Sequence, residues 1–144
     1  MIILVTGATG FLGQNFLEYF ARKKDHILLT ANRMTDRHEL LKYIDAADII
    51  LHFAASQRPE DPSEFESVNV ELTKLILLHL RPETRLLFTS SVHAKNNTPF
   101  GVSKLKAEKL ISSLSNFNPS KHQIIRLPHI FGPLGRPNYT SAVH

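Results

Sequence analysis

The chain has 144 residues, 42% of them hydrophobic and 21% charged, the size and balance of one ordinary soluble globule with a single core. It contains no cysteine, which excludes disulfides, thiolate zinc sites and a cysteine nucleophile. The formal charge of +4 comes from lysines and arginines that are scattered rather than clustered, so it gives little support for nucleic-acid binding.

The first apolar run, Ile2 to Val5, is too short for a signal peptide or a membrane span, and the cytoplasm is the expected location. The run ends at Gly7 and reads as a strand buried on both faces, as in a parallel sheet. Leu12, Phe16, Leu17 and Phe20 recur at helical spacing, and Ile27-Leu28-Leu29 begins a second strand, completing one βαβ unit. A short helix around Glu39 to Ile44 and a strand over Asp48 to Phe53 follow. Asp61-Pro62-Ser63-Glu64 combines a capping residue, a proline at the first helical position and a glutamate at the third, which predicts a long helix from about Pro62 to Leu80. Arg85 to Thr89 reads as the fourth strand, Pro99 to about Leu114 as a helix capped by Thr98, and His122 to Leu127 as the fifth strand. Five strands alternating with four helices predict a doubly wound parallel α/β sheet, a Rossmann fold, spanning 1–144 as one domain. Pro128 to His144, rich in Pro, Gly and Asn, forms no clear element.

Thr6-Gly7-Ala8-Thr9-Gly10-Phe11-Leu12-Gly13 follows the first strand and opens the first helix, the context in which a three-glycine pattern binds a dinucleotide. Gly7 permits the tight turn, Gly10 lets the backbone approach a pyrophosphate, and Gly13 allows close packing of helix on strand. The helix N-terminus offers unpaired N–H groups to the anion. About 20 residues after the last glycine, an Asp or Glu would bind the ribose hydroxyls of NAD. Asn32-Arg33 stands there instead; asparagine does not repel a 2′-phosphate and arginine offers it a planar fork of donors, so NADP is favoured over NAD. The eight histidines show no metal-ligand spacing, and no metal site is expected.

The glycine turn, His52-Phe53-Ala54-Ala55 after the third strand and Asn69-Val70 in the next helix resemble the extended short-chain dehydrogenase/reductase family of NAD(P)-dependent epimerases, dehydratases and reductases. Within it, Asp48 to His52, Arg58-Pro59-Glu60, Ser90-Ser91, Gly101-Val102-Ser103-Lys104 and Gly135-Arg136-Pro137-Asn138-Tyr139 resemble capsular-polysaccharide enzymes that reduce a 4-keto nucleotide sugar. The resemblance implies that Phe53, Ala54, Ala55, Asn69 and Leu127 help bind the cofactor along with the turn residues. It also implies that Arg136, Asn138 and Tyr139 contact a nucleotide-sugar substrate, and that the chain is an N-terminal portion lacking the family's C-terminal substrate domain. A homodimer is compatible with this reading.

The family's chemistry uses a Ser or Thr, a Tyr, and a Lys four residues after it on one helix face. By position, Ser91 is the hydroxyl residue that orients the substrate oxygen, and Lys104 the lysine that holds the nicotinamide ribose. The tyrosine position holds Phe100, which has no proton to transfer, so turnover is expected to suffer by roughly 10²- to 10⁴-fold while cofactor binding survives. Three accounts stand side by side: a natural remnant, a deliberate Tyr-to-Phe change, or a displaced donor such as His93 or Tyr139. After the fifth strand, where an asparagine is usual, His129 stands. The readings are therefore a nucleotide-sugar oxidoreductase, a catalytically impaired NADP-binding module, and, last, a basic nucleic-acid-binding domain.

Overall fold

The computed structural model describes residues 1–23 and 25–135 and contains one five-stranded sheet. Its strands are Ile2–Thr6 (β1), Ile27–Ala31 (β2), Ile49–His52 (β3), Arg85–Ser91 (β4) and His122–Leu127 (β5). They run in the order β2-β1-β3-β4-β5, and every pairing is parallel. The short apolar runs become the inner strands because both faces of the sheet are covered. Leu4, Val5 and Ile50 are fully buried.

The two faces carry different helices. On one, the first helix, Phe11–Phe20 (α1), lays Phe16 and Leu17 against Ile3, Val5 and Leu51. On the other, Arg37–Ala46 (α2), Leu72–His79 (α4) and Pro99–Ser112 (α5) bury Leu40, Ile44, Ile76, Ala107 and Ile111 against Leu4, Ile50, Leu86 and Phe88. Such a division follows from right-handed crossovers that step left from β1 to β2 and right thereafter. The direction reverses between β1 and β3, which opens a crevice at the carboxyl ends of those strands. Among the described residues, no helix is long and apolar enough to cross a membrane.

Local sequence explains most boundaries. Asp36 caps α2, its carboxylate accepting the Glu39 N–H at 2.8 Å, so the helix begins two residues before the expected Glu39. Thr98 caps α5 by accepting from Gly101 N–H at 3.1 Å, with Pro99 at the first helical position as expected. The long helix predicted from Pro62 is different. It begins at Glu64 as a short piece, Glu64–Glu66 (α3), widens into a π-helical turn over Ser67–Glu71 and continues as α4. The capping arrangement expected there does not form: the Asp61 carboxylate accepts from Ser63 N–H at 2.9 Å, and the Glu64 side chain turns away to Arg33 and Ser56. β4 extends two residues beyond the expected Thr89, and a 3-10 turn over Val92–Lys95 follows it.

Candidate functional site

A cleft of about 1010 Å³ lies across the carboxyl ends of all five strands. Thr6 ends β1, Ala31 ends β2, Phe53 and Ala54 follow β3, Thr89 to Ser91 end β4, and Leu127 ends β5; each lines it. The segment after β5 supplies Pro128, His129, Ile130 and Leu134, tied to α1 where the Asn15 amide donates to Pro133 O at 2.9 Å.

The glycine turn forms the floor, with Gly7, Thr9, Gly10, Phe11 and Leu12 lining the cleft. Gly7 has φ +69°, and a Cβ on it would fall 2.6 Å from Ala54 N. A Cβ on Gly13 would collide with Gly7 O and lie 2.7 Å from Ala8 Cα. Those two positions are closed by the protein itself. A Cβ on Gly10 would meet only Gly7 O, at 3.1 Å, and otherwise project into open space. Gly10 also precedes α1 without a side chain to cap it, which leaves the first-turn N–H groups for another acceptor. Gly13 is buried and is not part of the wall.

Ser91, Phe100 and Lys104 come together on the β4 side. Ser91 ends the strand, and its hydroxyl oxygen accepts the His93 N–H at 3.1 Å, capping the 3-10 turn and keeping the hydroxyl proton for a partner in the cleft. Phe100 and Lys104 are four residues apart on α5, so both side chains face the cleft. Lys104 is 2% exposed, donates to Thr89 O at 2.6 Å and lies 4.2 Å from the Phe88 ring centroid. Burial lowers its pKa to about 7, against the pull of Glu108 one turn on. Glu108 is itself buried, which favours its neutral form, but the Arg126 guanidinium donates twice to it, at 2.9 and 2.6 Å, and holds the carboxyl below its ordinary pKa. Lys106 and Lys109, on the same helix, are exposed, so Lys104 is not one of a solvated row.

A buried chain of hydrogen bonds underlies the cleft. Thr73 Oγ1 donates to Asn69 O at 3.1 Å and so receives the proton of His52 Nε2, 2.9 Å away. His52 Nδ1 is then the acceptor for Thr6 Oγ1 at 2.7 Å. Burial, and then the charge of Lys104, push the His52 pKa down to about 3, so the imidazole is neutral. Asn69 sits in the π-helical turn. Its carbonyl accepts Ser56 N–H at 2.7 Å, and its amide donates to Ser56 O and Ser103 Oγ, both at 2.9 Å. Ser103 in turn donates to Phe100 O at 2.8 Å. Asn69 therefore stands behind the cleft wall as its support. Its donors are spent on Ser56 and Ser103.

At the far end, Asn32 and Arg33 line the cleft beside Met34. The Asn32 side-chain carbonyl accepts Met34 N–H at 2.8 Å, which tightens the turn after β2. Arg33 pairs with Glu64 at 3.1 Å. Ala55 also lines the cleft. Arg136, Asn138 and Tyr139 lie outside the described residues. Sequence reasoning missed Ser56 and Thr73, quoted Ser103 only as part of a motif without its bond to Asn69, and assigned Glu64 to a cap. Among the described residues, no group of three His, Asp or Glu side chains is placed to hold a metal.

A parallel sheet wound on both faces, with a glycine turn at the reversal of strand order, defines a Rossmann-type nucleotide-binding class of α/β domain. Within that class the chain belongs to the NAD dependent epimerase/dehydratase family, whose model matches residues 3–143. It is 38% identical over 146 residues to UDP-2-acetamido-2,6-beta-L-arabino-hexul-4-ose reductase of Pseudomonas aeruginosa, a match covering 99% of this chain and 39% of that relative. The capsular polysaccharide assembling protein CapF of Staphylococcus aureus superposes with a TM-score of 0.82 at 34% identity, over 99% of this chain and 39% of that one. UDP-glucuronic acid 4-epimerase of Bacillus cereus, solved in complex with NAD, shares the fold with a TM-score of 0.79 at 21% identity, over 95% of this chain and 60% of that one. The chain thus spans about two fifths of the reductase and of CapF.

Proposed function

We propose that residues 1–144 form the dinucleotide-binding domain of a nucleotide-sugar oxidoreductase that reduces a 4-keto sugar in surface-polysaccharide synthesis, with NADP favoured as cofactor. The observation that carries this reading is convergence: the glycine turn, Ser91 and Lys104 line one cleft at the reversal of strand order. The donor set fits a dinucleotide. Gly10 lines the cleft with no side chain between its backbone and a ligand, and the uncapped start of α1 offers N–H groups to a pyrophosphate.

When bound, the nicotinamide supplies the hydride for the keto carbon. Lys104, protonated, would donate to the nicotinamide ribose, its position held by Thr89 O. The free hydroxyl proton of Ser91 would point the sugar carbonyl at the nicotinamide. Phe100 fills the tyrosine position by shape and brings no proton to the developing alkoxide. Phe100 also favours a second reading, a domain that binds the dinucleotide and no longer turns over.

Fluorescence titration with NADPH and NADH tests the first step, and saturable binding is expected; failure of both to saturate overturns both readings. The readings then separate in a protein of the relatives' full length. Phe100→Tyr is expected to raise reduction of a UDP-4-keto sugar by roughly 10²- to 10⁴-fold. Equal turnover in the two forms would show that another group supplies the proton.

A further inference from the structure

The guanidinium of Arg33 is already engaged by a carboxylate. Nη2 donates to Glu64 Oε2 at 3.1 Å, and Nη1 lies 3.4 Å from Oε1, so the planar fork is matched to one carboxylate. Glu64 comes from α3, 31 residues along the chain, and is itself anchored: Ser56 Oγ donates to Oε2 at 2.9 Å, while Asn69 holds Ser56 through both its N–H and its C=O. The Arg33 side chain is 72% exposed and that of Glu64 only 29%, so the carboxylate is the better-fixed member of the pair. A carboxylate beside the end of β2 is the feature that suits an unphosphorylated ribose, whose hydroxyls donate to it. Asn32-Arg33 follow β2 without one, and α3 brings Glu64 to the tip of the Arg33 side chain, Glu64 itself not lining the cleft.

We propose that Glu64, acting through its pair with Arg33, is the specificity-determining residue for the cofactor, holding back a 2′-phosphorylated dinucleotide that Arg33 alone would select. The proposal rests on the dinucleotide reading above. A 2′-phosphate must share the charge of Arg33 with Glu64 and must sit close to a second negative charge. A ribose bearing only hydroxyls meets neither obstacle. The choice between the two cofactors is therefore a balance of Arg33 against Glu64, and the preference for NADP is smaller than Arg33 alone would give.

The test is the ratio of Kd values for NADH and NADPH, measured by fluorescence titration for wild type, Glu64→Gln and Glu64→Asp at low and high salt. Glu64→Gln keeps an oxygen for Ser56 and removes the charge; it is expected to tighten NADPH roughly five- to tenfold while NADH stays equal or weakens. The gain should shrink in 1 M salt, where the Debye length is about 3 Å. Glu64→Asp, which keeps the charge, should hold the wild-type ratio. An unchanged ratio in Glu64→Gln, or the same shift in Glu64→Asp, with a wild type that binds both dinucleotides, overturns the proposal and leaves the dinucleotide reading standing. A wild type that binds neither overturns both.

Discussion

Lys104 owes its properties to where α5 places it. Its ammonium has exchanged water for one carbonyl and one aromatic face, with Glu108 a turn away, and burial brings its pKa to about 7. An unfolded lysine titrates near 10.5, so between pH 7 and 10.5 the unfolded chain binds more protons than the folded one, and stability rises with pH across that window. Below pH 7 the cost of the buried charge is present in full. Lys104→Met, which keeps the apolar stem, is expected to raise stability at pH 7 by about 1–3 kcal/mol, the gain being limited by the Thr89 carbonyl left without its donor. Thermal melts from pH 6 to 10 check this, and the variant should lose the rise with pH that the wild type shows. Phe100, four residues earlier, has no such environmental signature. Under the proposed reading its importance is chemical, and its place was visible in the sequence as soon as Lys104 was placed.

Among the elements, the π-helical turn Ser67–Glu71 joins the others. Its Asn69 reaches the loop after β3 through Ser56 and reaches α5 through Ser103, while Thr73, at the start of α4, receives the His52 proton from β3. A widened turn of this kind commonly marks a functional site, and here it lets one amide side chain brace two walls of the cleft. Asn69→Ala would leave Ser56 N–H, Ser56 O and Ser103 Oγ without their present partners. A loss of roughly 3 kcal/mol or more is expected, measured by urea denaturation. The same variant should weaken dinucleotide binding, because Ser56 positions Glu64 and Ser103 bonds to the backbone of Phe100. The Asn69-Val70 pair was legible in the sequence as a motif. Its part as a brace was not, because its three partners lie 13 and 34 residues away.

For the whole molecule, the cleft is a product of topology. Five strands end on one side of the sheet, and the reversal between β1 and β3 separates α1 on one face from α2, α4 and α5 on the other. A ligand lying across all five strand ends contacts the sheet from one edge strand to the other, so binding should stabilise the fold as a unit. At a dinucleotide concentration 100 times Kd the gain is about 2.7 kcal/mol, which for a chain of this size corresponds to a Tm rise of roughly 5–12 °C. Differential scanning calorimetry with NADPH or NADH checks this, and an unchanged Tm under saturating ligand would contradict it.

The sequence by itself determined the alternation of strands and helices, the glycine turn, the α5 start at Thr98-Pro99 and the pairing of Phe100 with Lys104. Each of these rests on spacing within one segment, on glycine's missing side chain or on a cap beside its own helix. Tertiary structure alone decided the order of the strands and the face each helix covers. It also decided the burial that brings Lys104 toward neutrality, the brace at Asn69 and the capture of Arg33 by Glu64. Those depend on groups that are distant in sequence and become neighbours only when the sheet closes between two layers of helix. The physical reason is that a hydrogen bond or an ion pair is set by where side chains end up, while strand and helix preferences are set by where they start.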